Sequence, residues 1–428
     1  MSAIKTAAVV VVLLVTISTA NADYLVTNRK TSVKSEPSSV SAPVLQVEVN
    51  TELNLLDNGV QVNGYYHVSS SNFDEGWIYR TFVRRFASPV LTAEKLEIRV
   101  VDVGPGLCTL IRLPNGKYVV YDTGHKQWTG QMPLQQISSF IPKGSEIEMM
   151  VLSHNHADHM GGAAQVIKNY TVKKVVWPGY YEPAVSEQGP TSMNQRFLKA
   201  LAEAPYPIEE VNLFERDSVI TPGTTVKIAG ADFIFLCGFG KPMDSWLEDL
   251  KGTGMKGERI NSVSIVMKLV YSGNSVLFCG DAVGRDRGGP EDQLIATESF
   301  LLEKAKQYLK STIVISPHHG ADNGNSTAFV NAVAPQRVVF SAGHEYNHPT
   351  TNAANRFLKF VEAAHIFRTD RGDDEREDGE TDYEWSHTRI AGCIDELGDD
   401  DIHITLHANG KYNIEYVNAE DPCSIGVE

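Results

Sequence analysis

The strongest constraint on this chain is the run from Met149 to Gly162. Met149 to Leu152 are four apolar residues and read as a short buried strand. The strand stops at Ser153, and His154, His156, Asp158 and His159 then arrive within six residues. Gly161 and Gly162 follow, and the spacing of Ala163, Val166 and Ile167 predicts a helix. Three imidazoles and a carboxylate on one tight loop suit a divalent transition metal, zinc first. A helix through these residues is disfavoured, because a spacing of two puts His154 and His156 on different faces.

The chain has 428 residues, enough for two or three domains and a large core. Its net charge of −15 disfavours unassisted binding to long duplex nucleic acid. Residues 1–22 read as a secretory signal. Lys5 supplies the positive start, Ala7 to Val15 the apolar run, and Ala20-Asn21-Ala22 the cleavage site. The apolar run is too short to span a bilayer comfortably. The expectation is a secreted protein (extracellular or periplasmic) with no stable membrane insertion after cleavage; the alternative is an uncleaved anchor. Five cysteines are an odd count for an exported chain. Cys108, Cys237 and Cys279 sit in apolar surroundings and read as buried small hydrophobes. Cys393 and Cys423 flank the C-terminal strands and are the candidates for a disulfide. Asn169 and Asn325 lie in glycosylation sequons.

Residues 23–87 show alternating apolar residues, short strands and closely spaced turns, the pattern of a small all-β barrel. The segments Thr31–Ser38, Pro43–Val47, Leu53–Leu56, Gly64–Val68 and Gly76–Val83 resemble a bacterial-type SH3-like domain. Glu36 departs from the glycine usual there, and His67 from the usual lysine. The resemblance implies binding to cell-wall peptide or peptidoglycan; a packing or spacer role is the alternative.

Residues 88–95 form a connector. Beyond it, strands and helices alternate, predicting an α/β domain over 96–428. Pro114-Asn115-Gly116 between two apolar runs predicts a hairpin. Helices are expected over 131–141, 195–204, 299–308, 328–333 and 353–363. Residues 251–259 read as a Gly-rich exposed loop, and 370–401 as an acidic, mobile surface insertion. Several strands end in chemistry: Asp102, Asp122, His154 to His159, Asp281, His318/His319 and His344/His348.

These segments resemble the metallo-β-lactamase fold, in the form of the soluble domain of ComEC competence proteins. The likeness covers about residues 96–418. It rests on 102–106, 114–117, 122–124, 153–162, Asn261 to Ser264, Gly280-Asp281, Pro317 to Gly320, Gly343 to Pro349 and Arg368 to Asp370, in the family's order. It implies an αββα sandwich and two divalent metal ions, zinc with manganese as the alternative. By that resemblance His154 and His156 bind one metal, Asp158 and His159 a second, and Asp281 bridges them. One of His318 and His319 completes the cluster, and the other contacts substrate. Asp122 holds a ligand imidazole in its tautomer. Asp102 shares that outer role, and turn capping is the alternative for both aspartates. Asp158 aligns the attacking water. His348 sits at the rim as ligand or acid, and His344 is an ordinary loop histidine.

Three departures stand out. No histidine lies between His159 and His318, so the single His that many relatives carry before the bridging Asp is missing. Pro105 and Leu107 replace the usual Gln and Asp. The acidic stretch has no counterpart. A metal pair lowers the pKa of a shared water and clamps phosphoryl oxygens, with no Ser or Cys nucleophile. The sequence therefore predicts an exported metal-dependent hydrolase of phosphodiesters, in nucleic acid or wall polymer. The alternatives are a lactonase or β-lactamase, or a non-catalytic wall-binding protein with a vestigial site.

Overall fold

The computed structural model describes residues 24–49, 51–70, 73–86, 95–124, 134–181, 192–251, 255–343, 346–371, 384–385, 398 and 400–418. The expected signal, most of the connector, His344, Cys393, Cys423 and most of 372–397 lie outside them. The chain divides into two compact units, Met1–Thr92 and Ala93–Glu428.

In the first unit every described strand pairs antiparallel. The alternating residues Leu25, Val33, Leu53, Leu55, Val68 and Ile78 point inward and form one small core.

In the second unit two sheets face each other. One runs in the order Glu209–Asn212, Lys174–Trp177, Glu146–Val151, Tyr118–Thr123, Cys108–Arg112, Lys95–Val100, Ile402–His407, Tyr412–Tyr416. The other runs Thr224–Ile228, Ala231–Cys237, Val266–Tyr271, Asn274–Phe278, Ile313–Ile315, Arg337–Phe340, Ile366–Arg368. Strand alternation explains the layers. Val119 and Tyr121 enter the core between the sheets with Phe233, Met267 and Phe278. Tyr118 and Val120 point the other way, onto the helices Leu134–Phe140 and Ala163–Asn169. Helices Ala296–Lys304, Thr327–Val333 and Thr351–Leu358 cover the second sheet's outer face. The order is helix, sheet, sheet, helix. Tyr121 ties the layers further, its hydroxyl donating to the Ile265 carbonyl at 2.6 Å. No helix among the described residues is long and apolar enough to cross a membrane.

The structure corrects four local readings. A one-turn helix, Ala157–Met160, begins after His156 and carries Asp158 and His159. The amides of His159 and Met160 turn back to the His156 carbonyl, so only the first half of the ligand run is extended. The exposed loop expected over 251–259 contains most of a helix, Lys256–Ser262, whose end is buried. Its Gly257 weakens a helix by about 1 kcal/mol, which misled the reading; that glycine faces His156. The described anchors of the acidic stretch are not mobile surface. Asp370, Glu384 and Asp400 are buried, and Arg368 pairs with Asp370 and Glu384. Finally, Asn325 is buried, with its side chain bonded to Ser316 and Pro317, so it offers no sugar site.

Candidate metal centre

The chemistry collects where strands end. Tyr118–Thr123 delivers Asp122, Glu146–Val151 leads to Ser153 and His154, Asn274–Phe278 leads to Asp281, and Ile313–Ile315 leads to His318 and His319. Neighbouring strands run parallel at these ends, Tyr118–Thr123 with Glu146–Val151 and Asn274–Phe278 with Ile313–Ile315. Asp122, His318 and His319 have φ of 58°, 50° and 56°, left-handed values that cost non-glycine residues about 1–3 kcal/mol and cluster at working sites. Gly280 is also left-handed, and a Cβ there would come 2.6 Å from that of Ser153. Its bareness lets Asp281 reach the histidine loop.

Two ligand sets share Asp281. Asp158, His159, Asp281 and His319 form one, and His154, His156 and Asp281 the other. In the first, His159 Nε2 lies 3.1 Å from His319 Nε2 and 3.0 Å from Asp281 Oδ1, and Asp158 Oδ2 is 3.5 Å from His319 Nε2. In the second, His154 Nε2 lies 3.1 Å from His156 Nδ1 and 3.6 Å from Asp281 Oδ2. His319 therefore joins the cluster. His318 stands beside it, 3.5 Å from Asp281 Oδ2 and 3.3 Å from the Asn261 amide nitrogen.

The outer partners fix which ring atoms face inward. Asp122 accepts from His159 Nδ1 at 2.9 Å, and from the amide and hydroxyl of Ser153 at 2.6 Å each. The Ser341 carbonyl accepts from His319 Nδ1 at 2.7 Å. Both rings thus donate through Nδ1, which turns their Nε2 atoms toward each other at 3.1 Å. Asp281 Oδ1 is buried without a hydrogen-bond partner. Ring nitrogens and carboxylates gathered this closely need a positive centre among them, a proton on one ring or a metal ion. The donor set of imidazoles and carboxylates suits a divalent ion.

The electrostatics agree. Burial pushes His154 well below the usual histidine range, and His159 adds to the shift. Burial acts on His159 the same way, but Asp281, Asp158 and Asp122 outweigh it and hold that ring well above the usual range. Burial likewise opposes ionisation of Asp281, yet His159, His318, His319 and His154 hold its pKa well below normal. A cluster that retains a proton between carboxylates is one that a metal ion displaces.

A cavity of about 720 Å³ opens over the sets. Pro105, Asp158, Glu258, Asn261, Arg287, Tyr346 and His348 are among its lining, and no described lining residue is Ser, Thr, Cys or Lys. His348 is in neither ligand set; its ring lies 5.8 Å from that of His318. Asp102 holds a turn, accepting from the amides of Gly104 and Gly398. That turn leads to Leu107, whose amide donates to the Asp158 carbonyl at 3.0 Å. Cys108, Cys237 and Cys279 are buried free thiols. Sequence reasoning gave no role to Ser153, Ser264, Ser341, Asn261 or Arg287. For Ser153 and Ser341, position just after a buried strand was the available signal; Ser264 precedes its strand, and Arg287 gave no signal.

Residues 101–231 match the metallo-β-lactamase superfamily. Recombination protein 2 of Haemophilus influenzae is 37% identical over 83 residues, 19% of this chain and 10% of that protein. Competence protein ComA of Neisseria gonorrhoeae is 26% identical over 265 residues, 60% of this chain and 29% of that protein. ComE operon protein 3 of Bacillus subtilis is 23% identical over 280 residues, 62% of this chain and 30% of that protein. This chain spans less than a third of the length of each of these relatives. With its facing sheets, outer helices and strand-end ligand sets, the second unit has the metallo-β-lactamase fold, and its His/Asp cluster is suited to divalent metal ions.

Proposed function

We propose that this chain is an exported hydrolase of phosphodiesters that uses two divalent metal ions, zinc or manganese. The observation that carries the reading is the pair of ligand sets joined through Asp281 under an open cavity. When bound, such ions activate water and neutralise charge on phosphoryl oxygens. His154, His156 and Asp281 would hold one, and Asp158, His159, Asp281 and His319 the other. Asp122 and the Ser341 carbonyl keep two imidazoles in the ligating tautomer. Asp158, part-exposed to the cavity, is placed to accept a hydrogen bond from the attacking water. Arg287 offers a cation at the cavity for a flanking phosphate. The lack of a Ser or Cys nucleophile among the described lining favours direct hydrolysis over a covalent route. The relatives' names, competence and recombination proteins, favour nucleic acid among the diesters. The net charge of −15 favours short or single-stranded substrates over long duplexes.

The test is a metal-replete assay of the full chain on bis-(p-nitrophenyl) phosphate, oligonucleotides, wall polymer, lactones and β-lactams. Turnover of diesters that stops on chelation is the expected result. Hydrolysis of lactones or β-lactams alone would move the reading to carbonyl chemistry, and no turnover with no bound metal would remove the enzyme altogether. Export predicts a mature N-terminus at Asp23 by protein sequencing. The SH3-like reading of residues 23–87 predicts that the full chain sediments with purified peptidoglycan. A chain left in the supernatant has no such targeting.

A further inference from the structure

The two ligand sets are unequal. Four side chains surround one position and three the other, and no histidine in the chain between His159 and His318 can fill the gap. We propose that the Asn261 side-chain oxygen is the fourth protein ligand of the His154/His156/Asp281 position. This rests on the metal-dependent reading of the site and extends it to a residue of another chemical type.

Asn261 is 3% exposed, lines the cavity beside His156, Asp281 and His318, and its Oδ1 has no hydrogen-bond partner. A buried amide oxygen without a partner costs about 1–3 kcal/mol, so an unused one at a metal centre is unexpected. The amide's other end is accounted for, since Nδ2 faces His318 Nε2 at 3.3 Å.

The backbone holds Asn261 in this place. It lies near the buried end of helix Lys256–Ser262, and its carbonyl accepts from the Ser264 amide at 3.0 Å. Ser264 in turn accepts from the Asp281 amide at 3.1 Å and faces His154 Nδ1 at 3.4 Å. The Ile265 amide donates to the Ser153 carbonyl at 2.9 Å. Residues 261–265 are thus bonded to the segments that carry two ligands of the incomplete set.

The chemistry differs from the histidine it replaces. An amide oxygen is neutral, cannot be protonated at working pH and is harder than imidazole nitrogen. With Asn261 both positions carry two nitrogens and two oxygens. Oxygen-rich sets suit manganese better than sets with a third imidazole do.

The experiment uses the full chain, stripped by chelation and re-equilibrated with Mn(II) or Zn(II) at buffered free concentrations. Metal content is read by mass spectrometry after gel filtration, and Mn(II) pairing by electron paramagnetic resonance. The native chain should take up two equivalents. N261A should hold one as before and bind the other at least about tenfold more weakly, losing the spin-coupled signal. N261H should restore two and shift competition toward zinc. Two equivalents of unchanged affinity in N261A would overturn the proposal while leaving the metal-dependent hydrolase standing. A native chain that binds no metal would overturn both. If N261A does not fold, N261D decides: its carboxylate should tighten one equivalent, and unchanged affinities overturn the assignment.

Discussion

The two ligand sets share one aspartate and differ in how their other side chains are held. In the Asp158/His159/His319 set, two imidazoles are backed by strong acceptors, the Asp122 carboxylate and the Ser341 carbonyl. In the His154/His156 set, the backing of His154 is a pair of hydroxyls, Ser153 at 3.0 Å and Ser264 at 3.4 Å. A carboxylate raises the basicity of the ring it holds more than a hydroxyl does. The first position should therefore bind its metal more tightly and fill first. The difference teaches that support outside the ligands, more than the ligands' identity, ranks the two positions.

The largest way to break this comparison is to remove what the sets share. Asp281→Ala should abolish binding at both positions and bring diester hydrolysis down to the level of the metal-free protein. Metal analysis beside turnover checks it. Activity that survives with one metal bound would show that Asp281 does not link the positions.

The next effect bears on the His319 side through the loop that follows it. Glu298 accepts from the amides of Asn325 at 2.6 Å and Ser326 at 2.9 Å, holding 323–326 beneath Pro317 to Gly320. Burial pushes its carboxyl up to about 7, against the opposing pull of those bonds. The unfolded chain releases this proton near 4.5 and the folded chain keeps it to about 7. Between those values the folded state binds more protons, so this group makes stability fall as pH rises through the window. The full span is worth about 3 kcal/mol, present below pH 4.5 and lost above pH 7. In melting curves of the chain and of Glu298→Gln from pH 4.5 to 8, the gap between them should change in that direction. A constant gap would show that Glu298 ionises normally.

A smaller effect separates the positions directly. Asp122→Ala should weaken the metal held by His159 and His319 by about 10–100-fold. The partner position should lose less, since Asp122 reaches His154 only through the Ser153 hydroxyl. Calorimetric titration with Mn(II) resolves the two steps. Equal weakening of both would end the ranking.

How much of this could be read from the chain follows the same division. His154, His156, Asp158 and His159 lie within six residues, so their chemistry was legible as a contiguous pattern. The layers were placed by likeness to a family, since Tyr118 to Tyr121 are all apolar and buried and no local alternation tells the strand's two faces apart. Asp281 and His319 were placed by likeness to a family, and nothing local told His318 from His319. That choice is made by left-handed backbone and by the Ser341 carbonyl, a contact across 22 residues. Asn261 sits on a helix whose first turns, with Gly257, read as a loop. The strand Glu209–Asn212 went unread because its two glutamates mask it; it is an edge strand.

Arg287 gives the smallest effect and bears on substrate rather than metal. Its loop is pinned below it, where Arg285 bonds Asp322 at 2.7 Å and the carbonyls of Gly289 and Pro290. The Arg287 side chain itself is 61% exposed, and its nearest carboxylate, Glu258, lies 3.7 Å away. Such a pair holds its cation weakly, so a phosphate entering the cavity can take the guanidinium over. A charge-assisted contact of about 1.5 kcal/mol corresponds to roughly tenfold in affinity. Arg287→Met should raise KM for an oligonucleotide about tenfold with kcat little changed, because the contact is made in both ground and transition states. The gap should narrow as salt rises, since the group is exposed. Metal content should be untouched at both positions, which separates this variant from all the others. If kcat falls and KM does not, Arg287 acts on the reacting phosphate itself, and the cavity's cation belongs with the metal ligands rather than with the substrate groove.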